Sequence, residues 1–568
     1  MTTKNANRLV WLLVLGVLAC GWVLPPLMDF DAAQIGTISQ AMWRRGDFWT
    51  LLNRDYTTGL DYDYLDKPHL VYWSAMLGYE IFGPGHMGMR FFSIVATLAA
   101  AFAVYRIGRQ LYSQEAGRWA ALIFVTAQAI FLSSHDVRTD ALLTAFTVLS
   151  IWQLTLFAST RRWLPLMLGF LFLAFGVGTK GLIAALVAGA ALFFFLLGRR
   201  DWPGLFNYRW PAGLLFFFLG LSPFLYAYYL QFDMHPEKFA NGAYGNSGVK
   251  FLLWSHSMDR FAGNRNLVAS PEFGFFYHTI LWAFLPWSIL LFTGVWSRLV
   301  EVWRTRGQSL CSREQLSFLG VWVMFNIMSM ASFKLPHYLN ILFPLLAVFT
   351  AGHLWQWQSA GQLLAMRRML RVHLWQALLL WALLLVLALW SFPLRDAWIW
   401  LGLLAMGGLA WWLYRQRSGM ALGDRMVLFT AVGALSVNFF LNAHVYPSLL
   451  HYQAGNRMVE EVRQRRIDPS AVVQFGRVVR SMDFYLQRAV PVMDSAGIAR
   501  TVGMGRTLYV FSSAAKGDTL ERMFPSARVV VRVPDLRVTR LKASFFDPAA
   551  RAVGLPEAGL YRLGPVAR

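Results

Sequence analysis

Apolar runs of about 20 residues recur from Arg8 to Asn442, separated by short polar or basic turns. Each is long enough, at ~1.5 Å per helical residue, to cross a hydrocarbon layer of ~30 Å. Thirteen spans are predicted, at 9–28, 88–108, 116–133, 139–158, 163–178, 181–197, 210–230, 275–296, 315–332, 338–356, 372–391, 397–414 and 426–443. The fifth and sixth lie so close that they could merge around Gly178. After His444 the rhythm changes. A polar helical stretch from Tyr452 to Arg466 is followed by short β-branched runs, Ala471 to Phe475, Thr507 to Phe511 and Arg528 to Val533, the pattern of a small α/β domain. The expected fold is mainly α, a polytopic transmembrane bundle over 1–443 with an α/β domain over 444–568.

A composition 57% hydrophobic and 16% aromatic exceeds what a soluble core needs. The net charge of +22 would suit nucleic acid, but the bases fall in short clusters between apolar runs and no nucleic-acid motif accompanies them. They act instead as orientation signals. With the N-terminus inside, twenty Lys and Arg lie on the cytoplasmic side and only four, Arg138, Lys180, Lys334 and Arg395, in the short loops outside. An odd number of spans follows, with the C-terminus outside. The run Leu9 to Met28 is too long for a signal-peptide core and reads as a retained first helix. Cys20 in that run and Cys311 in a cytoplasmic loop are not expected to pair.

Three longer pieces are then placed outside together: the loop from Met28 to Met87, with eight acids and four bases, the loop from Gln231 to Gly274, and everything after His444. Long loops on one side suggest function. The last piece carries 19 Lys and Arg against 10 acids, which suits an anionic glycolipid surface and equally a generic soluble basic domain. No internal repeat signals a two-halved transporter, and neither a dinucleotide fingerprint nor a P-loop is present.

Candidate chemistry gathers at the same face. Asp29 and Asp31 stand at the exit of the first span, where lowered dielectric poises a carboxylate for base or metal work. Residues Ala32 to Arg44 show an apolar stripe against polar Gln34, Ser39 and Gln40, so Asp31 would begin an interfacial helix and either cap it or act in catalysis. Asp66-Lys67-Pro68-His69, followed by Tyr72 and Trp73, offers a cation beside an acid, fit for a phosphate. The segment from Ser134 to Asp140 packs His135, Asp136, Arg138 and Asp140 where a helix meets the surface. Lys180, and Lys334 before His337 and Tyr338, stand in outer turns otherwise nearly free of charge. Such lysines either snorkel or hold an anionic head group. Positive-inside bias acts against them, so their company with Arg90 and Arg138 points to a phosphate site beside carboxylates.

The phrases Asp-Phe-Asp-Ala-Ala-Gln-Ile-Gly-Thr-Ile-Ser-Gln-Ala-Met from Asp29, Asp-Lys-Pro-His-Leu-Val-Tyr-Trp from Asp66, Phe-Gly-Pro with Arg90, Thr-Lys-Gly around Lys180 and Phe-Lys-Leu-Pro-His-Tyr from Phe333 occur in one order. In these the chain resembles the aminoarabinose lipid A transferase and protein O-mannosyltransferase superfamily, over residues 9 to about 350. The resemblance implies a GT-C fold, an acidic first outer loop, a polyprenyl-phosphate-sugar donor and a soluble C-terminal domain. The family's usual Asp-Glu pair is here Asp31-Ala32, its Arg is Gln34, and His69 stands where a second proline is common. Asp483-Phe484-Tyr485-Leu486 looks like a phrase of the soluble domain in aminoarabinose transferase relatives.

The expectation is a glycosyltransferase of the bacterial inner membrane, with N-terminus cytoplasmic and C-terminal domain periplasmic. Asp31 and Asp140 are the catalytic candidates, Asp31 deprotonating or orienting the acceptor. Lys67, Arg90, Arg138, Lys180 and Lys334 are expected at the donor phosphate, and Asp29, Gln34, Asp66, Tyr72, His135, Asp136, His337 and Tyr338 in acceptor or supporting roles. The acceptor is lipid A, another glycolipid, a glycan or a protein, with membrane lipids as partners and no nucleic acid. No cofactor is required. A divalent metal is possible on Asp29, Asp31, His135, Asp136 and Asp140, although no spacing fixes a coordination set. A lipid or solute transporter, or a polysaccharide-binding assembly protein, would use the same charges without chemistry.

Overall fold

The computed structural model describes residues 2–262, 272–310, 312–416, 419–538 and 541–564. Cys311 and residues 263–271 of the second long loop lie outside the described residues. Helix α1, Thr3–Val23, leads into the first long loop. Within that loop stand α2 (Asp31–Arg45), a hairpin of β1 (Leu52–Arg54) and β2 (Asp61–Asp63), and α3 (Leu70–Phe82). The hairpin pairs Leu52 with Asp63, Asn53 with Tyr62 and Arg54 with Asp61. Then come α4 (His86–Leu111), α5 (Gln114–Thr126), α6 (Gln128–His135), α7 (Asp140–Thr160), α8 (Trp163–Lys180) and α9 (Ile183–Gly198).

Every predicted span has a helical counterpart, but among the described residues only 9 helices have the length and apolarity to cross a membrane alone, or up to 10 with α5 and α6 together. The span expected at 116–133 is broken, α5 and α6 meeting at 60°. Ala127 between them is extended, and the freed Gln128 N–H donates to the Leu285 carbonyl, so a backbone group lost from the ladder is satisfied inside protein. The span expected at 275–296 is likewise two helices, Phe275–Ala283 and Ser288–Arg304, because Pro286 has no N–H to continue the first. The span at 315–332 is a 3-10 turn followed by the short helix Leu319–Ser329. The fifth and sixth spans do not merge: α8 ends at Lys180, where Gly181 takes φ +72°.

The C-terminal piece contains a four-stranded mixed sheet. In spatial order its strands are Val472–Gln474, Leu508–Ser513, Glu557–Leu563 and Arg528–Pro534. The first pair is parallel and the others antiparallel. The polar helix is found at Ala454–Gln464. The third strand in this order, Glu557–Leu563, is absent from the expectation above, since its Gly-Leu-Tyr centre has no β-branched residue; its two neighbours make it a strand.

This domain docks on the first loop through the short helix Arg480–Tyr485. Arg54 pairs with Asp483 at 2.7 Å, the Tyr485 hydroxyl accepts from Leu27 N–H at 2.6 Å, and the Phe484 carbonyl accepts from Gln40. A Cβ on Gly36 would lie 2.7 Å from the Phe484 ring, so α2 can approach only with glycine there. Burial raises the Asp483 carboxyl to about 6 despite Arg54.

Candidate active site

The first loop exits α1 through Pro25 and Pro26, whose carbonyls accept from the buried Arg90 guanidinium, while Arg90 Nε donates to the His135 carbonyl at 2.8 Å. Arg90, expected at a phosphate, is therefore a clamp that fixes where the loop leaves the membrane helix. Its donors are spent on backbone.

Beyond that clamp the two aspartates part. Phe30 sits at φ +94°, a left-handed conformation rare for a residue with a Cβ. It sends Asp29 one way and Asp31 the other. Asp29 turns to the C-terminal domain, where its oxygens accept from Ser481 N–H at 3.1 Å and Ser481 hydroxyl at 2.8 Å. Asp31 is the first residue of α2, but no side-chain cap is made there, so the capping alternative is not the one adopted.

Instead the Asp31 carboxylate lies between two cations, Lys67 Nζ at 3.7 Å and Arg138 Nη1 at 3.5 Å. Burial pushes its carboxyl up, but Lys67 and Arg138 together hold it below the usual range, so it is ionised at neutral pH. Lys67 is also set by Asp66 at 3.6 Å and by the Tyr64 hydroxyl at 3.4 Å, which in turn donates to Asp66 at 3.1 Å. Arg138 reaches Asp136 at 2.8 Å and His337 Nδ1 at 3.2 Å. Asp136 holds the Arg138 guanidinium above its ordinary value, and the burial that opposes this is outweighed.

From His337 the chain of contacts runs on. Its Nε2 lies 3.8 Å from Asp140, whose other oxygen accepts from Lys180 at 2.7 Å. The Lys180 ammonium stands 4.2 Å from the centre of the Tyr338 ring. Residues from four separate segments, 31–67, 136–140, 180 and 337–338, thus share one network. Proximity at such sequence distances is what makes it the candidate site.

Two cavities meet at this network. One of about 630 Å³ is lined by Arg138, Asp140, His337, Asp136 and His135, with apolar Leu132, Trp282 and Leu449. The other, of about 120 Å³, is lined by Lys180, Tyr338, His256 and Ser257 and is otherwise apolar, with Leu143, Phe261, Phe276, Met324, Met328 and Ile341.

The remaining expected residues serve at its edges. Lys334 donates to the Ala331 carbonyl at 2.7 Å rather than to a carboxylate of the network. His135 is buried with Nδ1 on the Phe131 carbonyl, and Gln34 is buried within α2. Tyr72 is fully buried in α3. His69 is buried too, with Nε2 3.0 Å from the Trp49 carbonyl, and burial lowers it to about 4, so it is neutral and ties the segment before the hairpin to the start of α3. Among the described residues no three His, Cys, Asp or Glu stand together as a metal-ligand group. Asp29 is turned away and Asp140 is held by Lys180, so the five proposed ligands do not converge. Tyr64 escaped the sequence reading, although its i, i+2 spacing from Asp66 was the available signal.

The dolichyl-phosphate-mannose-protein mannosyltransferase family matches residues 66–227 by its sequence profile. An undecaprenyl phosphate-alpha-4-amino-4-deoxy-L-arabinose arabinosyl transferase of Pseudomonas aeruginosa is 28% identical over 436 residues, 73% of this chain and 74% of that protein. An uncharacterized protein of Aquifex aeolicus is 25% identical over 436 residues, 75% of this chain and 77% of its own length. In three dimensions the chain is similar to ArnT from Cupriavidus metallidurans bound to undecaprenyl phosphate, with TM-score 0.70, 15% identity and 97% of each chain covered. With the fold, the motif order and the relatives in agreement, the chain has the GT-C fold and is a membrane glycosyltransferase that resembles the members of that superfamily.

Proposed function

We propose that this enzyme transfers a sugar of the amino-deoxyarabinose type from undecaprenyl phosphate to an anionic envelope glycolipid, lipid A, on the periplasmic side of the bacterial inner membrane. The observation that carries the reading is Asp31 held ionised between Lys67 and Arg138. The basic residues of the short turns support the orientation, with the C-terminal domain and the first loop on the periplasmic side.

The donor's sugar–phosphate bond breaks as the acceptor oxygen bonds to the sugar carbon, and the lipid phosphate leaves with growing negative charge. Lys67 and Arg138 stand ready to take that charge, Asp31 holding both cations in place until the phosphate arrives. Cations fixed before the reaction stabilise the transition state without reorganising. Lys180 lies at the polar end of the apolar cavity, which suits the first isoprene units of the donor. The larger cavity suits the sugar and the acceptor.

A carboxylate held below its ordinary range is a weak base, so orienting the acceptor suits Asp31 better than stripping a hydroxyl. An acceptor phosphate, whose second pKa is about 6, arrives already ionised and is repelled by a carboxylate, so Asp31 orients it through the Lys67 and Arg138 cations that it holds.

The test is purified protein in detergent with an undecaprenyl-phosphate aminoarabinose donor and lipid A, read by mass spectrometry. Lipid A heavier by one aminoarabinose supports the reading. If neither lipid A nor any glycan or protein acceptor from the envelope gains the sugar while an established arabinosyltransferase works beside it, the reading fails.

A further inference from the structure

We propose that a second cavity, of about 240 Å³ at the seam between the first loop and the C-terminal domain, binds a phosphomonoester on the sugar head group of the acceptor glycolipid. The inference rests on the reading above for the identity of the acceptor, though not for the existence of the site. Its walls include Phe30, Tyr56, Arg477, Arg480 and Arg537.

The Phe30 and Tyr56 rings are stacked at 5.5 Å, and the exposed edge of Phe30 gives the cavity an apolar rim. Arg480 is 3% exposed and lies over the Tyr56 ring at 3.9 Å. Its terminal nitrogens donate to the Tyr56 hydroxyl, to Asn53 at 3.0 Å and to the Arg54 carbonyl at 2.9 Å. Its Nε and that of Arg477 are buried and have no hydrogen-bond acceptor among the described residues. Arg477 is held by Asp535 at 2.6 Å, and Arg537, exposed at the rim, stands 5.3 Å from the Phe30 ring centre.

Three guanidinium groups therefore face two carboxylates, Asp535 and Asp29, and Asp29 already accepts two hydrogen bonds from Ser481. Two buried donors without acceptors, beside a surplus cation, fit an anion with several acceptor oxygens. Guanidinium forks match phosphate geometry. The site is one residue from the chemistry, since Phe30 separates Asp29 on this side from Asp31 on the other. Val538 lines both this cavity and the 630 Å³ one. One phosphorylated sugar lies here while the acceptor oxygen reaches the Arg138 guanidinium beside Asp31.

The full chain in detergent is titrated with bisphosphorylated lipid A, monophosphorylated lipid A and inorganic phosphate, read by native mass spectrometry, and the titration is repeated for Arg537→Gln, chosen because its exposed side chain leaves folding intact. Wild type is expected to bind the bisphosphorylated lipid about tenfold more tightly than the monophosphorylated one, and the variant to reduce that ratio several-fold with undecaprenyl phosphate binding retained. Millimolar inorganic phosphate that lowers the bisphosphorylated lipid's advantage supports the site. Phosphate without effect, or a ratio that is unchanged in Arg537→Gln and in Arg477→Gln, overturns it. These are binding measurements, so a missing transferase activity would sink the function proposed above and leave this outcome separately readable.

Discussion

Asp140 and Lys180 meet at 2.7 Å on the partition between two cavities, His337 on one side of the pair and Tyr338 on the other. The pair joins the ends of two membrane-spanning helices, with side chains 3% and 12% exposed. Removing one member would leave a buried charge unmatched. Lys180→Met is therefore expected to destabilise the protein by about 3–5 kcal/mol, and Lys180→Met with Asp140→Leu to recover most of that loss. Thermal unfolding in detergent reads both. Equal melting temperatures for the single and double variants would show that the pair does not matter to stability.

Asp31→Asn keeps the shape of the side chain and removes its charge. Transfer should fall about 10²–10⁴-fold with the protein folded and the donor still bound. Turnover at the wild-type rate in a reconstituted assay would exclude Asp31 from the chemistry.

Lys67→Ala should weaken undecaprenyl phosphate binding by about one to two orders of magnitude, the range for losing a charged hydrogen bond, with less effect on the acceptor. Lys67→Arg should restore part of it. Unchanged donor affinity in the alanine variant would assign Lys67 to structure.

The seam between the first loop and the C-terminal domain should respond to pH through Asp483 and Asp29, both raised to about 6 by burial. Their folded values exceed the unfolded carboxylate range, so the folded chain binds more protons across that window. Stability from these groups is full below about pH 4 and is lost as pH rises through about 6. Asp483→Asn should flatten that slope. A melting temperature that rises over the same window would contradict the assignment.

Gly36→Val puts a side chain where the Phe484 ring now packs, 2.7 Å from the added Cβ. Limited proteolysis is expected to release the C-terminal domain faster, and Gly36→Ala combined with Phe484→Ala to slow it again. Identical cleavage rates would mean the docking tolerates the intrusion.

The apolar rhythm made the bundle legible because each span is a local pattern, and β-branched runs did the same for three of the sheet strands. The breaks after Ala127 and around Pro286 were not legible as such, since Leu285 from one segment satisfies Gln128 of another. The fourth strand, Glu557–Leu563, owes its form to neighbours on both sides. At the site, the residue types were readable from their place beside the membrane, but the pairing of Asp31 with Arg138 spans more than a hundred positions and has no local signature. Arg90 shows the converse. A lone arginine at a helix start reads alike whether it meets phosphate or carbonyls, and here Pro25 and Pro26 decide.

The twist at Phe30 gives the two aspartates a common pivot, since rotating that one residue would move both carboxylates at once. Thermodynamic reciprocity then constrains the two acids: by whatever factor the grip of Ser481 changes donor affinity at Lys67, a seated donor changes the strength of that grip by the same factor.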